Sequence, residues 1–103
     1  MKQFDVLENV NRASRAQYPF LVVLQHDRLS DYSAVIVAPL LAESPSLLKT
    51  RLHPPISVAG ARYVLITEEL AAVPRKSLGR VIGSAIDRRY EIIRALDIVF
   101  TGN

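Results

Sequence analysis

His26 and His53 are the only histidines among the 103 residues, and there is no Cys at all. Those two facts set the limits of any metal or nucleophilic chemistry. Asp27 and Asp31 lie near His26, but not at the i, i+4 spacing that puts two ligands on one helix face. The missing thiols exclude a disulfide scaffold, a Cys nucleophile and every Cys-based zinc or iron–sulfur site. Gly79-x-x-x-Gly83 lacks the Lys-Ser/Thr that makes a phosphate loop work, and no Gly-x-Ser-x-Gly elbow occurs. Glu68 and Glu69 are adjacent, and neighbours on a strand point to opposite faces, so on a strand they cannot share a site. One chemistry keeps raw material. Arg28, Thr50, Arg51 and Thr67 are the residue types with which a small barrel cleaves RNA, the Arg stabilising charge on the phosphorane. Nothing in their spacing demands it. No cofactor and no metal are expected.

Charge points to a partner. The net charge is +3, carried by 10 Arg and 3 Lys against 5 Asp and 5 Glu. Arg offers a rigid fork of donors suited to carboxylates and phosphates. Between Arg75 and Arg94 there are six cations (Arg75, Lys76, Arg80, Arg88, Arg89, Arg94) and two acids (Asp87, Glu91). They read either as a patch for an acidic protein or nucleic acid, or as a solvated helix face. The chain is half hydrophobic, which excludes wholesale disorder. No apolar run reaches the roughly 18 residues of a transmembrane helix. Met1-Lys2-Gln3-Phe4-Asp5 has an acid where a signal peptide is apolar. These features predict one soluble, cytoplasmic domain over residues 1–103, with no membrane partner.

The elements that must position these residues follow from the apolar patterning. Strands are expected at Phe4–Leu7, Tyr18–Gln25 and Ala34–Ala38, the last stopped by Pro39. Asn9–Gln17 and His26–Ser33 are polar connections, and Leu40–Leu52 is ambiguous between a helical turn and a loop. A hairpin is expected where Ile56-Ser57-Val58 and Tyr63–Ile66 flank Ala59-Gly60-Ala61-Arg62, because Gly60 supplies the positive φ of a tight turn. Glu68–Val73 is a short strand or turn. From about Ala85 to Phe100 the period becomes helical, with Ser84 and Asp87 as a capping box and Gly102 as the stop. Ile86, Ile93, Leu96 and Phe100 form the stripe, widened by Ile92, Ala95 and Val99. One face packs on the sheet, leaving Ile92, Val99 and Phe100 as a surplus that predicts a homodimer interface. The fold class is α+β: a small, mostly antiparallel barrel with one C-terminal helix.

Several segments together resemble the CcdB toxin family. Gln3-Phe4-Asp5-Val6 opens as those proteins open. Val23-Leu24-Gln25-His26-Asp27 is similar to their Val-x-Val-Gln-Ser-Asp segment, and Val35-Ile36-Val37-Ala38-Pro39-Leu40 to their Val-Ile-Pro-Leu strand. Leu52-His53-Pro54 and Ala72-Val73-Pro74 match their Leu-x-Pro and Ser-Val-Pro landmarks, and Phe100-Thr101-Gly102-Asn103 their Phe-x-Gly-x ending. The order and spacing of these landmarks carry the likeness over nearly the whole chain. The resemblance implies an SH3-like barrel and a homodimeric, non-enzymatic toxin of a toxin–antitoxin pair. Such a toxin inserts between the A subunits of DNA gyrase and traps the enzyme on cleaved DNA. A CcdA-type antitoxin neutralises it through a disordered acidic C-terminus, and the complex represses its operon with the antitoxin making the DNA contacts. MazF-type ribonucleases share the barrel, which keeps a MazF-like endoribonuclease as the alternative.

Carried over by position, the resemblance places gyrase contacts at Phe100, Thr101, Gly102 and Asn103, at Asp97 one helical turn earlier, at Arg28 and Leu29, and at Gln3 and Phe4 on the first strand. Phe4 and Phe100 read equally as core residues. The Arg-rich surface (Arg12, Arg15, Arg75, Arg88, Arg89) becomes the dock for the acidic antitoxin segment. The best-known plasmid member ends Phe-Trp-Gly-Ile, its Trp stacking on a gyrase arginine. Thr101 and Asn103 stand in those places here, and Arg28 replaces an apolar residue. An aromatic anchor is normally a binding hot spot, so weaker or altered gyrase poisoning is expected, and a CcdB fold that has lost it is a further alternative.

Overall fold

The computed structural model describes residues 1–103 as a single antiparallel sheet of seven strands, curled into a half-barrel, with one C-terminal helix against it. The strands are β1 (Asp5–Glu8), β2 (Phe20–Val23), β3 (Ala34–Ala42), β4 (Pro55–Val58), β5 (Ala61–Leu65), β6 (Ala71–Pro74) and β7 (Val81–Ser84), followed by α1 (Arg89–Thr101). Their order is β4-β5-β3-β2-β1-β7, with β6 pairing β3 as well. This is the expected α+β class.

Both faces of the sheet are buried in its middle. Adjacent residues on a strand point to opposite faces, so Val6 and Val22 join a cluster under α1 with Leu40, Ile56, Leu65 and Ile92, whereas Leu7 and Val23 join Val35 and Val37 on the other face. Phe20 and Tyr63 meet edge-on, ring centroids 5.2 Å apart, at the border of the first cluster.

The hairpin forms as expected. Ala59 (φ 51°) and Gly60 (φ 82°) are both left-handed, the backbone of a two-residue turn whose twist matches its strands. The loop is two residues rather than four because Ala61 and Arg62 already pair with Val58 and Ser57.

Pro39 does not stop β3. The strand runs nine residues through it, and Pro39 lies opposite Leu21. The carbonyl of Pro39 accepts from Ile66 N–H at 2.9 Å, so its nitrogen faces the same side. On that side β3 changes partner, from β6 up to Val37 to β5 from Leu40 onward. The missing N–H falls in the gap, where no ladder bond is lost. Leu40–Ala42 therefore belongs to the strand, and Leu47–Lys49 is a short 3-10 turn.

The end of the chain differs in two ways. Val81–Ser84 is a strand on β1, a pairing that four residues of weak alternation did not disclose. The helix starts at Arg89, not Ala85, and the capping box is absent. Ser84 Oγ instead accepts from Ile86 N–H at 3.2 Å, which tightens Ile86–Arg88 into a 3-10 turn. Gly102 ends the helix as expected, left-handed at φ 78° with its N–H on the Ile98 carbonyl.

The phase of the helix also corrects the assignment of its stripe. Ile92 and Ala95 are wholly buried, Leu96 packs on the core, and Val99 is half-buried. Spacings of three and four make 92, 95, 96 and 99 the inward face. Ile92 belongs to the chain's own core and is not available to a partner. Ile86, Ile93 and Phe100, at intervals of seven, are the exposed apolar residues, at 53%, 45% and 69%.

Candidate partner-binding surfaces

The C-terminal turn of α1 projects the most exposed of these. Phe100 reaches outward beside a 160 Å³ depression floored by Leu24, Ile36, Leu70 and Leu96. Thr101 caps its own helix: Oγ1 donates to the Asp97 carbonyl at 2.6 Å, leaving its methyl and the Asp97 carboxylate on the surface. Gly102 and Asn103 are exposed beyond it.

Gln25 connects this end to the β2–β3 loop. It borders the same depression, and its side chain donates to the Leu29 and Ala34 carbonyls at 3.1 and 3.3 Å. The loop is held again by the N-terminus, where Gln3 N–H donates to Asp27 Oδ1 at 2.7 Å and Gln3 Nε2 to the Leu24 carbonyl at 3.0 Å. Arg28 and Leu29 form a 3-10 turn with Asp27, and His26 Nδ1 caps it by accepting from Arg28 N–H. Gln3, Arg28, Leu29 and Phe100 are thus tied into neighbouring segments through Leu24 and Gln25.

Phe4 is the exception. Its side chain is buried in the core under α1, and its φ of 70° is left-handed, rare for a bulky residue. Phe4 N–H bonds to the Val23 carbonyl and its own carbonyl accepts from Ala85, so the bend is clamped from both sides. Phe4 is a packing residue and presents no ring to a partner.

The cations do not form one patch. Arg12 and Arg15 are exposed on the β1–β2 loop, which edges a groove of about 530 Å³ lined by Val10, Tyr18, Leu21 and Val73. Arg75 donates twice to the Tyr32 carbonyl, at 3.0 and 3.2 Å. Arg80 pairs with Glu8, Arg88 stands 4.0 Å from Glu91, and Arg89 lies 4.6 Å over the Tyr90 ring. The run that is basic in sequence is spread over four elements, and most of it has partners inside the chain.

The residues considered for RNA chemistry also separate. Thr67 is wholly buried and its Oγ1 has no partner. Arg28 lies on the β2–β3 loop, and only Thr50 and Arg51 share a cleft, between the β3–β4 loop and α1. No three metal-ligating side chains converge, and no helix is long and apolar enough to cross a membrane.

Sequence reasoning passed over the acid pair in the 3-10 turn Thr67–Glu69. Glu68 receives His53 and Glu69 receives the Tyr18 hydroxyl at 3.2 Å. Off a strand, the two neighbours serve two different loops. Partial burial of the ring, then the Glu69 hydrogen bond and the charges of Glu69 and Glu68, push the Tyr18 hydroxyl above its ordinary pKa of 10.0.

Comparison with known families decides the relationship: the family described as CcdB protein matches residues 3–102. The chain belongs to the CcdB family. It is a toxin-family protein of the toxin–antitoxin class. Among solved structures, it is similar to an endoribonuclease in complex with its cognate antitoxin from a mycobacterial species. The TM-score is 0.78 at 9% identity, over 96% of this chain and 93% of that one. It is also similar to an Mtb toxin, with TM-score 0.73 and 16% identity over 92% and 99%. At these identities the likeness is one of fold. No curated protein is significantly similar in sequence.

Proposed function

We propose that this CcdB-family chain acts by binding and not by catalysis, as a homodimeric toxin that engages the DNA gyrase A subunit and traps gyrase on cleaved DNA. The observation that carries the reading is Phe100, 69% exposed at the end of α1 in a chain of this family. A large ring held outward on a rigid helix end is costly to solvate and ready to anchor a partner. Asp97, Thr101, Gly102 and Asn103 surround it, and Gln3, Arg28 and Leu29 supply the flanking loop. The homodimer is part of the same proposal, its seam read at half-buried Val99 and exposed Phe100, without the buried Ile92. Cytoplasmic action follows from the target.

A CcdA-type antitoxin with an acidic disordered C-terminus is the second proposed partner. Arg12 and Arg15, with no internal acid, are its best-placed contacts, and Arg75, Arg88 and Arg89 contribute to its charge steering. DNA is reached only through that antitoxin, as a co-repressor of the operon.

The test is a supercoiled-plasmid assay with gyrase and ATP. Linear DNA released by detergent and protease supports the reading. Unchanged supercoiling with gyrase of the same host overturns it and favours a CcdB fold that lost gyrase binding with Thr101 and Asn103. The similar fold of an endoribonuclease supports a second reading, a MazF-like endoribonuclease. Cleavage of bare RNA by the purified chain would establish that activity.

A further inference from the structure

The geometry points to a nucleotide-phosphate binding cleft between the β3–β4 loop and α1, remote in its residues from Phe100. The cleft has a volume of about 250 Å³ and brings Thr50, Arg51 and His53 of the loop against Arg94 of the helix. Three observations define what it takes.

First, its arginines are free. Arg62, Arg80 and Arg88 each have a carboxylate within 4.0 Å, and Arg51 and Arg94 have none. Glu91, on the lip, is the one acid lining the cleft, and it is drawn to Arg88. Two guanidinium forks beside one cleft are matched to a group with several charged oxygens, and phosphate offers more than a carboxylate. Thr50 Oγ1 already accepts from Leu52 N–H at 3.1 Å, so its own proton remains to donate.

Second, the floor is fixed. His53 is held at both ring nitrogens, Nδ1 on the Leu47 carbonyl at 3.1 Å and Nε2 on Glu68 at 2.9 Å. His53 is a positioning residue: it holds the loop that carries Thr50 and Arg51, and its ring is already engaged by Leu47 and Glu68.

Third, the rest of the lining is apolar, contributed by Pro54, Pro55 and Leu48. A largely apolar cleft with two unpaired arginines among its lining residues fits a flat ring bearing a phosphate. The volume lies just below the usual range of ligand sites, about 300 to 1,000 Å³, so it has room for no more than one nucleotide unit. That unit comes either free or as part of a single-stranded RNA.

The experiment is an amide and guanidinium NMR titration of the full chain with adenosine monophosphate, inorganic phosphate, adenosine and a short oligoadenylate. Saturable shifts at Thr50, Arg51, His53 and Arg94 are expected with the monophosphate, weaker ones with phosphate, and none with adenosine. Equal affinity for monophosphate and oligomer assigns a free nucleotide, and tighter oligomer binding assigns RNA. Arg51→Ala/Arg94→Ala should weaken binding about tenfold or more, the scale of losing charge-assisted bonds. Both residues are exposed, so the fold survives. Glu91→Gln should tighten it, which a general loss of structure cannot do. Shifts that persist in the double variant overturn the site. So does an acidic peptide that shifts the same residues while the monophosphate leaves them unmoved.

Discussion

His53 and Glu68, 15 residues apart in sequence, meet with Nε2 2.9 Å from both carboxylate oxygens, while His53 Nδ1 faces the Leu47 carbonyl. Both ring nitrogens lie within hydrogen-bond distance of oxygen acceptors, so the ring is anchored from two sides. The pair pins the β3–β4 loop to the turn that packs against α1. His53→Ala should lower unfolding free energy by about 1–2 kcal/mol in urea titrations, the worth of hydrogen bonds to charged groups discounted for the exposure of Glu68. A loss below about 0.3 kcal/mol, the low end for exposed pairs, would show that the loop is held elsewhere.

Tyr18 and Glu69 predict an alkaline limb. The folded protein holds the Tyr18 hydroxyl above its ordinary 10.0. The stability from its neutral form is complete below that unfolded value and is lost as pH rises through the folded one. Tyr18→Phe should flatten the fall of melting temperature at alkaline pH, and Glu69→Gln should return the tyrosinate absorbance transition of Tyr18 towards 10.0. An alkaline slope identical in Tyr18→Phe would be the contrary result.

Two apolar residues of α1 should behave oppositely. Ile92→Ala, wholly buried, should cost about 2–5 kcal/mol through the cavity it leaves. Phe100→Ala should change the unfolding free energy of the single chain by no more than about 0.5 kcal/mol, because the ring is exposed in it, while abolishing gyrase-dependent linearisation of plasmid. Retained trapping by Phe100→Ala lacking Gly102 and Asn103 would move the gyrase site elsewhere.

Gly79 has a packing role that its P-loop-like spacing concealed. A Cβ there would run into the Glu8 carbonyl, which is backbone and cannot swing aside. Glu8 N–H donates to the Arg80 carbonyl at 3.0 Å, so the β1–β7 ladder must open to admit it. Gly79→Ala should destabilise by about 1–3 kcal/mol, the usual cost of overpacking, read from the thermal midpoint. A midpoint unchanged from the parent would contradict this contact.

Local chemistry made much of the fold legible. Gly60 announced the hairpin and Gly102 the helix end, because each conformation needs a left-handed residue. Pro39 misled because its cost depends on whether its nitrogen meets a partner, which is a property of sheet topology. Ile92 was misassigned because a broad apolar stripe gives the period of a helix and not its phase. The choice of Phe100 as a partner contact rests on resemblance, and its exposure at the helix end is what the structure adds. The latches of Glu68 and Glu69, and the convergence of Arg51 with Arg94, join residues far apart in sequence, and no local pattern encodes them.

The prolines have one more consequence. The half-barrel leaves three strands with a free side: β4, β6 and β7. In β4 the Pro54 carbonyl faces β5, so the nitrogen of Pro55 faces outward. In β6 Arg75 N–H donates to the Ser33 carbonyl, so the nitrogen of Pro74 faces outward too. Each of these edges lacks a donor where another chain would need one, a recognised defence against sheet-to-sheet aggregation. Only β7, with Val81 and Ile82 exposed, offers a free edge without a proline. Fibrillar growth in a crowded preparation would start there, and a lysine at Val81 would be the substitution to stop it.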